Sequence, residues 1–177
     1  MSLDSQPIKL DEPSIDLKTE FLDLLEDQQQ AGEGYIDPTL PRRDFSAYLH
    51  KLSEMSLAQN LPSGSVPVTN YWMVRPDRTI LGVSKLRHHL TPSLEKHGGH
   101  IAYFIRPSQR RQGYGDLLLT LTLQQARARG INPVRITCDT DNIGSARIIE
   151  KNGGVLSGQM VYPGTGTQIS QYWIALS

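Results

Sequence analysis

The sequence predicts a single α/β domain in which helices flank a central, twisted sheet of mixed but mostly antiparallel strands, and three observations carry that prediction. The stretch from His100 to Gly130 places a short apolar run, a glycine-bearing turn and a long leucine-rich segment in immediate succession. A second β-branched run and a second helical pattern follow it, from Val134 to Gly154. On either side lie short aromatic or β-branched runs bounded by turn formers, the pattern of antiparallel hairpins. With 177 residues and 38% hydrophobic content, one core suffices and no second domain is needed over residues 1–177.

In chain order, a short strand is expected near Ile8 to Leu10. Ile15, Leu17, Phe21, Leu22, Leu24 and Leu25 then mark an amphipathic helix to about Gln30, with acids on its other face. Those acids read as a solvated face rather than a cation-seeking surface. AGEGYIDPTLP breaks the helix, and Phe45, Tyr48, Leu49, Leu52 and Met55 resume a helical period to about Ala58, giving a two-helix insertion over residues 15–58. NLPSGSVPVTN is a loop, and YWMV, the turn RPDRT and ILGVSKLRHH form an antiparallel hairpin. Trp72 on that hairpin reads as core material. LTPSLEKHGG reads as a loop leading to HIAYFIRP, a buried strand that stops at Pro107 because proline cannot donate to a ladder. Leu117, Leu118, Leu121 and Gln125 lie on one helical face, and Gly130 is the C-terminal stop. Strands near Val155 to Val161 and Ile169 to Leu176 complete the sheet.

Lys plus Arg balances Asp plus Glu at 18 each, so bulk charge supports neither a nucleic-acid nor an anionic-membrane partner. A lone cysteine, Cys138, excludes an internal disulfide and fits a reducing compartment; it reads as a small buried hydrophobe rather than a nucleophile. MSLDSQPIKLDEP shows no leader pattern and no segment reaches membrane-spanning length, so the expectation is a soluble cytoplasmic protein. His88, His89, His97 and His100 cluster in sequence, without the HxxxH or CxxC spacing that would make a metal site.

The turn Arg110 to Gly115, RRQGYG, precedes a helix whose first N–H groups lack intrahelical partners, and the helix dipole favours an anion there. Gly113 and Gly115 permit positive φ and close approach, and Arg110 and Arg111 add guanidinium groups suited to phosphate. A tight turn without a ligand explains the same residues. There is no GxxxxGK[ST], and Leu118 stands where the third glycine of GxGxxG belongs.

RRQGYG also fits the (Q/R)xxGx(G/A) signature of the GNAT superfamily of N-acetyltransferases. VRITCDTDNIGSARIIEKNGG resembles that superfamily's next strand and helix, with NxxSxxxxxKxG in Asn142, Ser145, Lys151 and Gly153. KLRHHL, GGHIAYFIRPSQRRQGYG and ITCDTDN together resemble a bacterial subgroup of predicted acetyltransferases. The resemblance implies a GNAT fold, a cofactor core over about residues 100–154, and acetyl-CoA as acyl donor. Carried onto this sequence, it implies main-chain contacts from Phe104 and Ile105 to the pantetheine arm. The pyrophosphate is expected on Gln112, Gly113, Tyr114, Gly115 and Asp116, with Arg110 and Arg111 near phosphates and Asn142 and Ser145 on the cofactor's far side. Asn142 serves equally as a helix N-cap, and Asp116 suits a first helical turn without any ligand. The insertion, by the same resemblance, helps select the acceptor.

Where many members carry a tyrosine that protonates the departing thiolate, this sequence has Ile149. His100 is the first choice for a general base because imidazole titrates near neutrality, with Asp139 and Tyr103 behind it. The expected activity is direct transfer of acetyl to a primary amine in a ternary complex. Two alternatives stand beside it: a non-enzymatic acyl-CoA-binding module, and a nucleotide-binding regulator using the same turn for ATP or NAD. The acceptor and the oligomeric state, a homodimer included, are left open.

Overall fold

A computed structural model describes residues 7–59 and 61–177; the first six positions of the expected leaderless N-terminus, and Asn60 in the expected loop, lie outside the described residues. Strand β1 (Lys9–Asp11) leads through a 3-10 turn at Ile15–Leu17 into α1 (Lys18–Gln30). Two helices follow, α2 (Thr39–Arg43) and α3 (Phe45–Ser56). The insertion therefore holds three helices and not the expected two. Leu40 and Pro41 make too short a run to show a period, and Asp44 separates the pair by capping α3, its side chain accepting from the Ala47 N–H at 2.9 Å.

The hairpin β2 (Val68–Val74) and β3 (Ile80–Arg87) is antiparallel as expected. The loop after it contains a helix, α4 (Pro92–Lys96), where none was expected. Thr91 caps it by accepting from the Leu94 N–H at 3.2 Å, and Pro92 opens it with its φ already set. Then come β4 (Ile101–Ile105), α5 (Tyr114–Ala128), β5 (Val134–Asp139), α6 (Ile143–Lys151), β6 (Gly154–Val161) and β7 (Gln168–Ile174).

The strands make two sheets, β1-β2-β3-β4 and β5-β7-β6, and every pairing within them is antiparallel. The two sheets meet between β4 and β5. There the His100 N–H donates to the Arg135 carbonyl at 2.8 Å, and the Arg135 N–H donates to His100 Nδ1 at 2.8 Å. Gly99 makes this approach possible: its φ is +61°, and a Cβ on it would stand 2.5 Å from the Arg135 carbonyl oxygen. Beyond that clasp the strands share no ladder and diverge.

One face of the β3-β4 sheet and the adjoining β5-β7 sheet pack under α5 and α6, through Leu86, Ile101, Leu119, Leu123, Ile136 and Ile149. The opposite face of β2-β3-β4 is covered by α1 and α3, with Phe21 stacked on Trp72 at 4.6 Å. Trp72 is thus core, as its strand position implied. A buried Ser84–Thr122 hydroxyl pair, 2.8 Å apart, joins β3 to α5.

Candidate active site

The divergence of β4 from β5 opens a cavity of about 910 Å³ lined by both strands, the start of α5 and the start of α6. Two features of the backbone define its chemistry. The first is the free edge of β4. Because the Arg87 N–H bonds the His100 carbonyl and the Arg106 N–H bonds the Leu81 carbonyl, the alternation of an antiparallel ladder commits the main-chain groups of Ala102 and Phe104 to β3. Those of Tyr103 and Ile105 point into the gap. The expectation for Phe104 is corrected accordingly: its backbone is spent within the sheet, while its ring stacks on Tyr35 at 4.9 Å. Ile105 is on the free edge as expected, and its carbonyl accepts from Arg110 Nε at 3.1 Å.

The second feature is the α5 terminus. Arg111 and Gly113 both have positive φ, +62° and +82°, which curls the turn so that the chain enters the helix at Tyr114. No side chain caps α5, and the N–H groups of Tyr114, Gly115 and Asp116 lie in its first turn without intrahelical acceptors. Among the described residues, nothing beyond the turn itself lies within 4 Å of the Cβ position of Gly113. The turn is open on the side an anion would approach.

Several predicted side chains are engaged within the protein. Arg110 forms a bidentate pair with Glu33, at 2.7 and 2.6 Å, and so is not free for phosphate as expected. The Arg110 hydrogen bond holds the Glu33 carboxyl below its ordinary range. Arg111 lines the cavity and makes no ion pair among the described residues. Asp116 joins α5 to α6, accepting from Lys151 Nζ at 2.5 Å and Asn152 Nδ2 at 2.8 Å. Gln112 is exposed and lies off the cavity wall, whereas Gly113, Tyr114 and Gly115 line it. Asn142 does cap α6, its side chain accepting from the Ser145 N–H at 3.0 Å, and it lines the cavity as well.

His100 does not line the cavity. Its ring is buried in the seam with Nδ1 occupied by the Arg135 N–H, and burial, with help from Arg87 and His89, lowers its pKa to about 4. An imidazole so weakly basic, and so placed, is a strand clasp, and the expectation of a base there is withdrawn. Tyr103 does line the cavity, with its hydroxyl 2.8 Å from Ser145 Oγ across the gap. Burial pushes that phenol up to about 12, so it stays protonated and suits an acid rather than a base. Cys138 lies beside this pair, half-buried, its thiol pushed up to about 11 by burial. It is no nucleophile at neutral pH.

The anchors around the mouth leave no local signal in the sequence, since their partners lie far apart along the chain. Asp27, on α1, accepts from Arg106 Nε at 2.8 Å and from both the N–H and hydroxyl of Ser108. Burial opposes its charge, yet these bonds outweigh burial and hold its pKa below the ordinary value. The face that reads as merely solvated thus fastens the insertion to the exit of β4.

A sheet split at β4/β5, with a free strand edge leading to an open helix N-terminus, is the architecture of an acyl-CoA acyltransferase. The chain belongs to the GNAT acetyltransferase family: residues 9–155 match the acetyltransferase (GNAT) domain. Solved structures of the same fold include RimL, the ribosomal L7/L12 alpha-N-protein acetyltransferase, in complex with coenzyme A (16% identity, 98% of this chain and 96% of that one, TM-score 0.70). Others are a spermidine N-acetyltransferase SpeG chimera from Vibrio cholerae and hSSAT (12%, 95% and 96%, TM-score 0.62) and yncA from Salmonella typhimurium with its cofactor acetyl-CoA (12%, 97% and 95%, TM-score 0.64). No sequence match to a curated protein was found. No helix among the described residues is long and apolar enough to cross a membrane.

Proposed function

We propose that the protein is an acetyl-CoA-dependent N-acetyltransferase that acts on a primary amine by direct attack in a ternary complex, in the cytoplasm. The observation that carries this reading is the continuous path from the free main-chain edge of Tyr103 and the N–H of Ile105 to the uncapped start of α5. Main-chain groups of a free strand edge suit the amides of a pantetheine arm, and first-turn N–H groups with a helix dipole suit a diphosphate. Arg111 supplies the nearby guanidinium, since Arg110 is held by Glu33. Acetyl-CoA, held there, supplies an activated thioester; the protein's share is position and proton control.

Ile149 is fully buried, so α6 offers no hydroxyl at that position. Tyr103 offers one from the other wall, kept protonated by burial and oriented by its hydrogen bond with Ser145. We assign it the role of donating a proton to the departing thiolate. A tyrosine acid on β4 answers one of the two grounds for a purely binding role, the tyrosine missing from α6; the other, the lack of an unmistakable base, is met by turnover alone. Tyr103→Phe is expected to lower kcat by roughly a hundredfold and leave acetyl-CoA affinity intact, as followed by release of free thiol and by calorimetry. Wild-type turnover in that variant would remove Tyr103 from the reaction. In the same calorimeter, tighter binding of ATP or NAD than of acetyl-CoA would replace the whole reading with a nucleotide-binding one.

A further inference from the structure

The end of the cavity remote from α5 carries charge that the reading above does not use. Val83, Lys85 and Arg87 alternate on the face of β3 covered by the insertion, opposite Phe104, Ala102 and His100 on β4. Lys85 and Arg87 are both half-buried. Arg87 lines the cavity, and its Nη1 donates to the carbonyls of Gly98 and Gly99 at 3.1 and 2.9 Å; its other nitrogens have no protein partner among the described residues. Lys85 Nζ has none either and sits 5.6 Å from the centroid of the Tyr35 ring, itself part of the cavity wall.

No carboxylate pairs with either cation among the described residues. The two acids of the adjoining loop are engaged elsewhere, Glu33 by Arg110 and Asp37 by the Thr39 N–H. Directly across from Lys85 on β2 stands Asn70, a residue with 8% of its surface exposed, whose Nδ2 is buried with no hydrogen-bond partner. Three donors on one patch of sheet thus lack acceptors. Burying two like charges and an amide together is costly unless a ligand answers them.

The donor cannot be that ligand's source. Arg87 pairs with His100 and Lys85 with Ala102, and the α5 terminus lies beyond Ile105, so the patch is about 10 to 16 Å of strand away from the diphosphate end. We infer that the acceptor is a primary amine that also carries a carboxylate, and that Arg87 and Lys85 hold this carboxylate while the amine reaches the thioester. The inference rests on the acetyltransferase reading and names the substrate class for that same site. A guanidinium with free Nε and Nη2 suits a carboxylate, and the patch repels a polyamine.

The test uses the full chain and matched amines: an α-amino acid against its amide, an ω-amino acid against the alkylamine of equal length, an aminoalkylphosphonate, and spermidine. Thiol release should favour each carboxylate over its neutral partner by about tenfold or more in kcat/KM. Lys85→Met breaks no protein hydrogen bond; it should raise KM for the carboxylate amine about tenfold and leave KM for acetyl-CoA unchanged. Arg87→Gln should do the same if circular dichroism shows it folded.

Preference for the amide, the alkylamine, the phosphonate or spermidine overturns the inference, as does an unchanged acceptor KM in Lys85→Met. If acetyl-CoA binds and no amine is acetylated, calorimetry of an N-acetyl amino acid on the CoA complex decides: binding supports the patch, and no heat overturns it. Failure of acetyl-CoA itself to bind overturns the functional reading instead, and this inference with it.

Discussion

At the seam between the sheets, Nδ1 of His100 must be unprotonated to accept the Arg135 N–H, so protonation opposes folding. The folded pKa of about 4 lies below the ordinary value of 6.5. For a group depressed in the fold, the stabilising contribution is complete above pH 6.5 and is lost as pH falls toward 4. The loss is on the order of 2 kcal/mol, after allowance for the partial access of the ring to solvent. In urea titrations at pH 7 and pH 4.5, His100→Gln should remove that part of the pH dependence. It should turn over acetyl-CoA at close to the wild-type rate at pH 7. A fall in turnover of a hundredfold or so, with stability unchanged, would restore His100 as the base. The sequence showed that an imidazole stood at the start of the central strand; its engagement was invisible because Arg135 lies 35 residues on. Arg110 is a similar case, its partner Glu33 lying 77 residues upstream.

The α5 element is the part read most fully in advance, since its leucine period, its glycine turn and its stop are local properties of the chain. Gly113 has φ +82° and faces open space, so a side chain there meets no protein but adds backbone strain and projects over the first-turn N–H groups. Gly113→Glu should abolish acetyl-CoA binding in calorimetry by setting a carboxylate against the diphosphate, with the far-ultraviolet spectrum retained. Unchanged affinity would take the turn out of the site. The α1 element shows what local pattern misses. Its acids fit a solvated face, but Asp27 grips Arg106 and Ser108 and so holds the insertion over β4. Asp27→Ala should cost about 2 kcal/mol in urea unfolding by leaving the largely buried Arg106 guanidinium short of a partner. The exposed Glu33–Arg110 pair should contribute less than about 1 kcal/mol in the same assay. Helices α2 and α4 show no helical period in the sequence because, at five residues each, they are shorter than two turns.

Across the whole molecule, function follows from where the sheet fails to close. Strands β4 and β5 are fastened at one end by His100, Gly99 and Arg135 and released at the other. The order of elements and their antiparallel pairing were legible from hydrophobic runs and turn formers. The split into sheets of four and three strands was not, because nothing local tells a strand which neighbour it will leave unpaired. That gap gives the free edge of Tyr103 and Ile105, brings Tyr103 to Ser145, and separates an amide-lined end from a cationic one. The central claim is that this gap seats a thioester and delivers its acetyl group to an amine. Its most direct test is simultaneous measurement of free thiol and N-acetylated product with acetyl-CoA and the amine panel described above. The account predicts equal amounts of thiol and N-acetyl product, formed only when both substrates are present. Thiol released at the same rate without amine, or none above the protein-free background although acetyl-CoA is bound, would contradict it.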